Sequence, residues 1–262
     1  MDKALRTATS GMRAQQLHID TISNNLANVN TTGFKKSKVE FQDLLYQTIR
    51  PAGAGTSLGS EAPTELQIGC GTAPVSTAKM FTQGDVVQTG NALDLAIEGD
   101  GFLQFRMADG SVAYSRDGAL KISRDGQIVN SDGYFLDNNI TLPSETQSIS
   151  ISRDGIVSVT VAGSTEPQDL GQIELARFIN PAGLKNIGRN LLVATGASGE
   201  PIIGVPELEG MGGIAQGYLE SSNVDVVEEM VNMIVAQRAY EINSKTIRTS
   251  EDMMSLVNNL KR

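Results

Sequence analysis

The sequence predicts an α+β protein, with a long helix at each end and a β-rich middle. Three observations carry that reading. Apolar residues recur at sevens through the first 30 positions, apolar rows recur at sevens again through the last 40, and Asp-Gly pairs punctuate the stretch between them. At 262 residues and 40% apolar, the chain has the material for a packed core.

The N-terminal helix is read from Leu5, Met12, Ile19 and Leu26, with Ala8, Ile22 and Val29 three residues after three of them. Only Gln15 interrupts this a/d seam. Asp2 suits the positive start of the helix, and Gly33 is placed at its left-handed stop. Lys35, Lys36 and Lys38 then fall beyond the negative end, where cations are favoured.

The C-terminal helix is longer. Ser222 and Asp225 read as a capping box, strengthened by Glu228 and Glu229, and Lys261 and Arg262 close the helix with the favourable sign. Residues 224–260 would span roughly 55 Å at the helical rise. Val226, Met233, Tyr240, Ile247 and Met254 form one heptad row. A second row, Val235, Ile242 and Leu256, lies about 200° around the helix. Two apolar rows on opposite sides cannot face one partner, so this helix is expected to be surrounded.

The middle reads as hairpins. Asp-Gly pairs begin at Asp109, Asp117, Asp125, Asp132 and Asp154, with alternating apolar segments between them. The expected turn is the kind in which both central residues take positive φ. Residues 156–161, 172–178 and 191–194 supply further strands. Residues 51–63 differ: Ala, Gly, Ser, Thr and Pro dominate without period, as in a linker or extended arm. The expected organisation is an N-terminal helix over 1–36, an extended connecting arm over 37–75, a β-rich domain over 76–221 and a C-terminal helix over 222–262.

Composition excludes several functions. One cysteine, Cys70, and one histidine, His18, exclude an internal disulfide and metal sites built on several thiolates or imidazoles. A net charge of −9, concentrated in the middle, argues against nucleic acid as partner. No apolar run approaches the roughly 20 residues of a membrane span. Charged residues 2–13 do not read as a cleaved leader. The glycines at 99–101 and 210–213 lack the strand-to-helix setting of a nucleotide loop and read as turns. His18 sits beside the seam as a half-exposed structural residue, and no base lies near Cys70 in sequence. Glu98, Asp100 and the turn aspartates could supply a hydrolase pair, but the chain has no Trp on which to stack a sugar. No catalytic residue, cofactor or metal is expected.

The asparagines closing the first helix admit two readings. Asn24, Asn25 and Asn28 either fray the helix end or hydrogen-bond across a helix contact and fix its register. The methionines Met230, Met233, Met253 and Met254 read first as core and second as an adaptable assembly surface.

Asn24-Asn-Leu-Ala-Asn-Val-Asn-Thr-Thr-Gly-Phe-Lys35 resembles the N-terminal signature of the bacterial flagellar rod and hook axial proteins. Asp94-Leu-Ala-Ile-Glu-Gly-Asp-Gly-Phe102, Tyr114-Ser-Arg-Asp-Gly118 and Asp125-Gly-Gln-Ile-Val129 are similar to their β-domain blocks, and residues 224–245 to their C-terminal helix. Phe41-Gln-Asp-Leu-Leu-Tyr-Gln-Thr-Ile-Arg50 and Leu66-Gln-Ile-Gly69 are most like the distal-rod branch; a proximal-rod or hook-type member is the alternative. A secreted β-rich binding module and a cell-wall hydrolase are the readings from other classes.

The resemblance implies terminal helices paired as an inner tube, β domains outside, and a subunit that polymerises into a rigid helical shaft carrying torque across the periplasm. Its partners would be further copies of itself, proximal rod proteins, the hook protein, the P and L rings and the flagellar type III export apparatus. The implied assembly residues are Leu5, Met12, Ile19, Ile22, Asn24, Asn25, Leu26, Asn28, Val29, Val226, Met230, Met233, Val235, Tyr240, Ile242, Ile247 and Met254. The implied stiffening arm is Tyr46, Gln47, Arg50, Pro51, Gly53 and Leu66. Charge at Ile19, Ile22, Met233 or Ile247 is expected to block assembly.

Overall fold

A computed structural model describes residues 2–53, 63–138, 140–143, 145–162 and 166–260. The chain divides into two compact units. One comprises Met1–Leu26, Ser37–Ala78 and Asp225–Arg262, and the other Ala27–Lys36 and Lys79–Val224. The connecting arm expected over 37–75 thus groups with the helices, and the end of the N-terminal signature groups with the β-rich unit.

In the first unit, helix α1 is Asp2–Ala27 and helix α2 is Val226–Leu260. They are antiparallel: Asn25 hydrogen-bonds Glu229, and Gly11 faces Asn243, so fourteen residues on α1 match fourteen on α2. A Cβ at Gly11 would stand 3.0 Å from the Asn243 amide, which is why the helices meet at a glycine. The seam residues Leu5, Ala8, Met12, Ile19, Ile22 and Leu26 are all withdrawn from solvent to some degree.

Both helix ends differ from expectation. α1 stops at Ala27, three residues early, where Asn28, Asn30, Thr31 and Thr32 offer the backbone competing hydrogen bonds; Thr31 N–H and Oγ1 both bond back to Asn28. Gly33 is therefore not the helix stop. Its positive φ of 66° answers a different demand, because a Cβ there would lie 2.6 Å from the backbone of Arg116 and Asp117. At α2 the cap is Asp225 itself, whose Oδ1 accepts from the N–H groups of Val227 (2.8 Å) and Glu228 (3.1 Å). Ser222 instead accepts from Val224 N–H, outside the helix, so the predicted box begins three residues too soon.

The remaining part of the first unit is a long two-stranded ribbon. Ser37–Asp43 lies in a two-stranded sheet with Thr72–Lys79, and Tyr46–Arg50 pairs antiparallel with Leu66–Gly69 in the register Tyr46↔Gly69. A Leu44 N–H to Gly71 C=O bond of 2.9 Å joins the two ladders. The ribbon packs on α1: Thr72 N–H donates to Ser10 Oγ, and the His18 and Phe41 rings meet edge-on at 6.0 Å. An extended connecting arm was expected here, without strand pairing. Residues 54–62, part of the stretch read as an arm over 51–63, lie outside the described residues.

In the second unit a seven-stranded sheet contains the hairpin Leu103–Arg106 and Val112–Ser115, followed across the sheet by Phe135–Leu136, Ile128–Val129 and Lys121–Ile122. A three-stranded sheet, Thr146–Ile151, Ile156–Val161 and Gln168–Gln172, supplies Ile151, Val157 and Val159 to the same core as Leu95, Ile97, Phe105, Leu175 and Ile214. A smaller cluster packs Phe102, Tyr114 and Phe178 in edge-to-face contacts.

Four Asp-Gly pairs form hairpin turns of one geometry. In each, the glycine N–H returns to a carbonyl three residues back and only the glycine has positive φ: Gly110, Gly126, Gly133 and Gly155. This is a type I turn closed by a left-handed glycine, not the turn with two positive φ angles that was expected. Asp117–Gly118 is not a hairpin turn at all. The strands on either side of it, Val112–Ser115 and Lys121–Ile122, are not neighbours in the sheet. Gly118 is needed because a Cβ there would stand 1.7 Å from the Leu95 carbonyl oxygen.

Candidate assembly surface

α2 presents two faces. Toward α1 lie Glu229, Ala236 and Ser250, which are buried, with Met233, Asn243, Ile247 and Met254 partly buried among them. Successive members of this face are three to seven residues apart, the spacing of one helical side. Roughly opposite, Val227, Met230, Val231, Ile234, Val235, Ile242, Met253, Leu256, Val257 and Leu260 are exposed. Ile242 retains 65% and Leu260 86% of its accessible surface. Burying a side chain of this kind contributes about 1.5–3 kcal/mol, so half-exposing ten leaves on the order of 10 kcal/mol unrealised in the isolated chain. An apolar stripe of that extent marks a contact with another molecule.

The predicted assembly residues divide between these environments. Val226, Met230, Val235, Tyr240 and Ile242 are on the surface. Leu5, Met12, Ile19, Leu26, Met233, Ile247 and Met254 are half-buried within the unit, and Val29 is half-buried in the other. Ile22 is fully buried, so a charge there would break the α1–α2 pair itself before any contact with a neighbour. Asn24 is exposed and Asn28 closes the turn after α1. Asn25 is 1% exposed; its amide donates to the Ser37 carbonyl and to Glu229, and its Oδ1 accepts from Ser37 N–H. It ties α1, α2 and the root of the ribbon together inside one unit.

The arm residues Tyr46, Gln47, Arg50, Pro51, Gly53 and Leu66 are all exposed. Gln47 accepts a hydrogen bond from Lys3, at the start of α1. A hydrogen bond to Asp43, aided by its charge, holds the Tyr46 phenol above its ordinary pKa.

Sequence reasoning missed a second structural centre. Lys35, expected beyond the negative end of the first helix, is instead 3% exposed and lies 2.5 Å from the carboxylate of Glu220, whose side chain is fully buried. The same carboxylate accepts from Gly84 N–H and faces Arg116 at 3.5 Å. Lys35 also donates to Thr82 C=O, and Arg116 to the carbonyls of Gly99 and Ile97. Burial pulls Lys35 below its usual pKa, and Glu220 offsets part of that pull. Burial likewise lowers Arg116, against the charges of Glu220 and Asp100. Gly33 N–H donates to the Glu220 carbonyl and Thr32 Oγ1 to Asp117. The segment Ala27–Lys36 is thus fastened into the β-rich unit.

Among the described residues no group of three or more His, Cys, Asp or Glu is placed to hold a metal ion, and no helix is long and apolar enough to cross a membrane.

Comparison with known proteins matches the same three regions. Residues 5–35 match the flagella basal body rod protein family, residues 96–159 the flagellar hook protein FlgE/F/G D1 domain, and residues 215–260 the flagellar basal body rod FlgEFG protein C-terminal family. The flagellar basal-body rod protein FlgG of Borreliella burgdorferi is 54% identical over the whole of both chains. The chain belongs to the family of flagellar basal-body rod proteins. FlgG of Bacillus subtilis is 40% identical over the whole of both chains, against 31% for the hook-basal body complex protein FlhP of the same organism. The chain is accordingly a structural subunit of the distal rod, placed in the basal body and assembled there with other flagellar proteins. The two terminal regions matched lie largely in the helical unit, and the central one lies within the β-rich unit.

Proposed function

We propose that the subunit polymerises through its helical unit into a rigid tube that carries torque across the periplasm. The observation that carries this reading is the exposed stripe on α2, ten apolar side chains that no other described residue of the chain buries. A contact between unlike surfaces, repeated without closing, extends into a filament. The paired strands Tyr46–Arg50 and Leu66–Gly69, largely exposed, supply a second, outlying contact, and each subunit then resists rotation through more than one neighbour. The partners that follow from this position are proximal rod subunits, hook subunits, the P and L rings, and the flagellar export apparatus that delivers the chain. The domains act separately in this scheme: helices and ribbon polymerise, and the β-rich unit forms the outer surface.

The test is polymerisation by sedimentation and electron microscopy of purified subunits. Val235→Asp and Ile242→Asp alter exposed positions, so both variants are expected to keep the monomer's melting behaviour and lose filaments. Filaments of normal number and shape from either variant would refute the assignment of the stripe.

A further inference from the structure

The antiparallel register of α1 and α2 places Asp2 opposite Asp252, so residues 253–260 extend beyond Asp2, the first described residue of α1. This overhang is about 12 Å long at the helical rise. Its exposed side chains Met253, Leu256, Val257 and Leu260 fall at i, i+3, i+4 and i+7, the spacing by which a helix lays one face into an apolar groove. No charged residue lies between Met253 and Leu260, and Asp252 flanks the row. Lys261 and Arg262 follow the row in the sequence and lie outside the described residues.

The same unit carries a groove between α1 and the ribbon, about 580 Å³ in volume, lined by Leu5, Leu44, Ala73 and Pro74 with Arg6 and Arg13. Arg6 and Arg13 are seven residues apart on one side of α1, and both are exposed. The groove is apolar with a basic edge, and the overhang is apolar with an acidic edge. Both are surfaces of one chain, and a subunit built to polymerise meets its own copies at high local concentration.

We propose that the overhanging turns of α2 in one copy insert into the α1–ribbon groove of the next, with Asp252 against Arg6 and Arg13. This rests on the polymer reading above and specifies one of its contacts. Tip and groove are different surfaces, so the contact is head-to-tail and leaves a free tip and a free groove after every addition. It also gives the ribbon a role at its root, where Leu44, Ala73 and Pro74 form one wall of the socket.

The experiment is charge reversal with rescue. The combined variant Arg6→Glu/Arg13→Glu and the variant Asp252→Arg are each expected to raise the critical concentration for polymerisation at least about tenfold, since each juxtaposes like charges. Combining all three changes is expected to restore it to within about threefold. All these positions are exposed, and unchanged thermal melting of each variant checks that the monomer is intact. As a second readout, Leu260→Cys is expected to cross-link between copies to the exposed Cys70, two residues before the groove residue Thr72, through a short bis-maleimide. Wild-type polymerisation by either charge variant, or no recovery in the combination, overturns the contact while leaving the polymer reading standing. Failure of the unaltered chain to polymerise overturns both.

Discussion

Replacing Lys35 by methionine keeps the aliphatic stem and removes the ammonium that sits 2.5 Å from a fully buried carboxylate. Breaking a buried ion pair by deleting one partner costs about 3–5 kcal/mol, because the remaining charge stays out of water without compensation. Glu220 keeps Gly84 N–H at 2.9 Å and Arg116 at 3.5 Å, which holds the loss toward the lower limit, about 3 kcal/mol. That is a large share of the 5–15 kcal/mol typical of a domain. Urea unfolding followed by near-ultraviolet circular dichroism reads it well, since Tyr114 is buried against Phe178 at 4.8 Å in the same unit. Glu220→Gln leaves two buried cations facing a neutral amide and is expected to cost at least as much. The double variant is expected to cost less than the two singles together, by about 1–3 kcal/mol of coupling. A loss under about 1 kcal/mol for Lys35→Met would refute the reasoning, because surface charges behave that way and buried partners do not.

Three further outcomes follow from the geometry. Gly118→Ala puts a Cβ against the Leu95 carbonyl oxygen and is expected to destabilise the β-rich unit by several kcal/mol, whereas Gly110→Ala meets no atom within 4 Å and is expected to cost only the roughly 1 kcal/mol of a left-handed alanine; paired urea midpoints check the contrast. Burial first, and the Asp137 charge second, raise the Tyr114 phenol above 10.0, so the folded state keeps a proton that the unfolded chain releases. The stability it contributes is whole below about pH 10 and falls as pH rises through the raised value; Tyr114→Phe is expected to abolish that alkaline loss, read as the difference in urea midpoint between about pH 9 and about pH 11. Replacing residues 46–69 by a short glycine linker is expected to leave α1 and α2 paired but give filaments that bend more, measured as persistence length in electron micrographs; unchanged stiffness would remove the ribbon from the mechanism.

The parts of the fold legible in the sequence are those set by local rules. The heptad seam of α1 and the two rows of α2 are properties of neighbouring turns, and the second row contributes Val235, Ile242 and Leu256 to the exposed stripe. The Asp-Gly turns were legible as turns. Their type was not, because a left-handed glycine serves more than one hairpin geometry, and Gly118 serves close packing instead. The ribbon was missed because Tyr46-Gln-Thr-Ile-Arg50 has no buried face, so no alternation marks it as a strand. Lys35 was misread for a related reason: its partner Glu220 is 185 residues away, and no local pattern encodes a pairing at that distance. The only sequence hint was a lysine within a run of residues that match the family signature and bear no helical period. Among the asparagines, spacing could not single out Asn25, since the residues that bury it come from the ribbon root and from α2.

The central claim is that the helical unit, and not the β-rich unit, makes the contacts that build the tube. Hydrogen exchange on the monomer and on the polymer tests it directly. Polymerisation is expected to slow exchange in the strands Tyr46–Arg50 and Leu66–Gly69 and in the overhang 253–260, whose residues are mostly exposed in the single chain. The strands Leu95–Glu98 and Leu103–Arg106, already in the core of the other unit, are expected to exchange alike in both states. New protection confined to the β-rich unit, with the ribbon and overhang unchanged, would contradict the account.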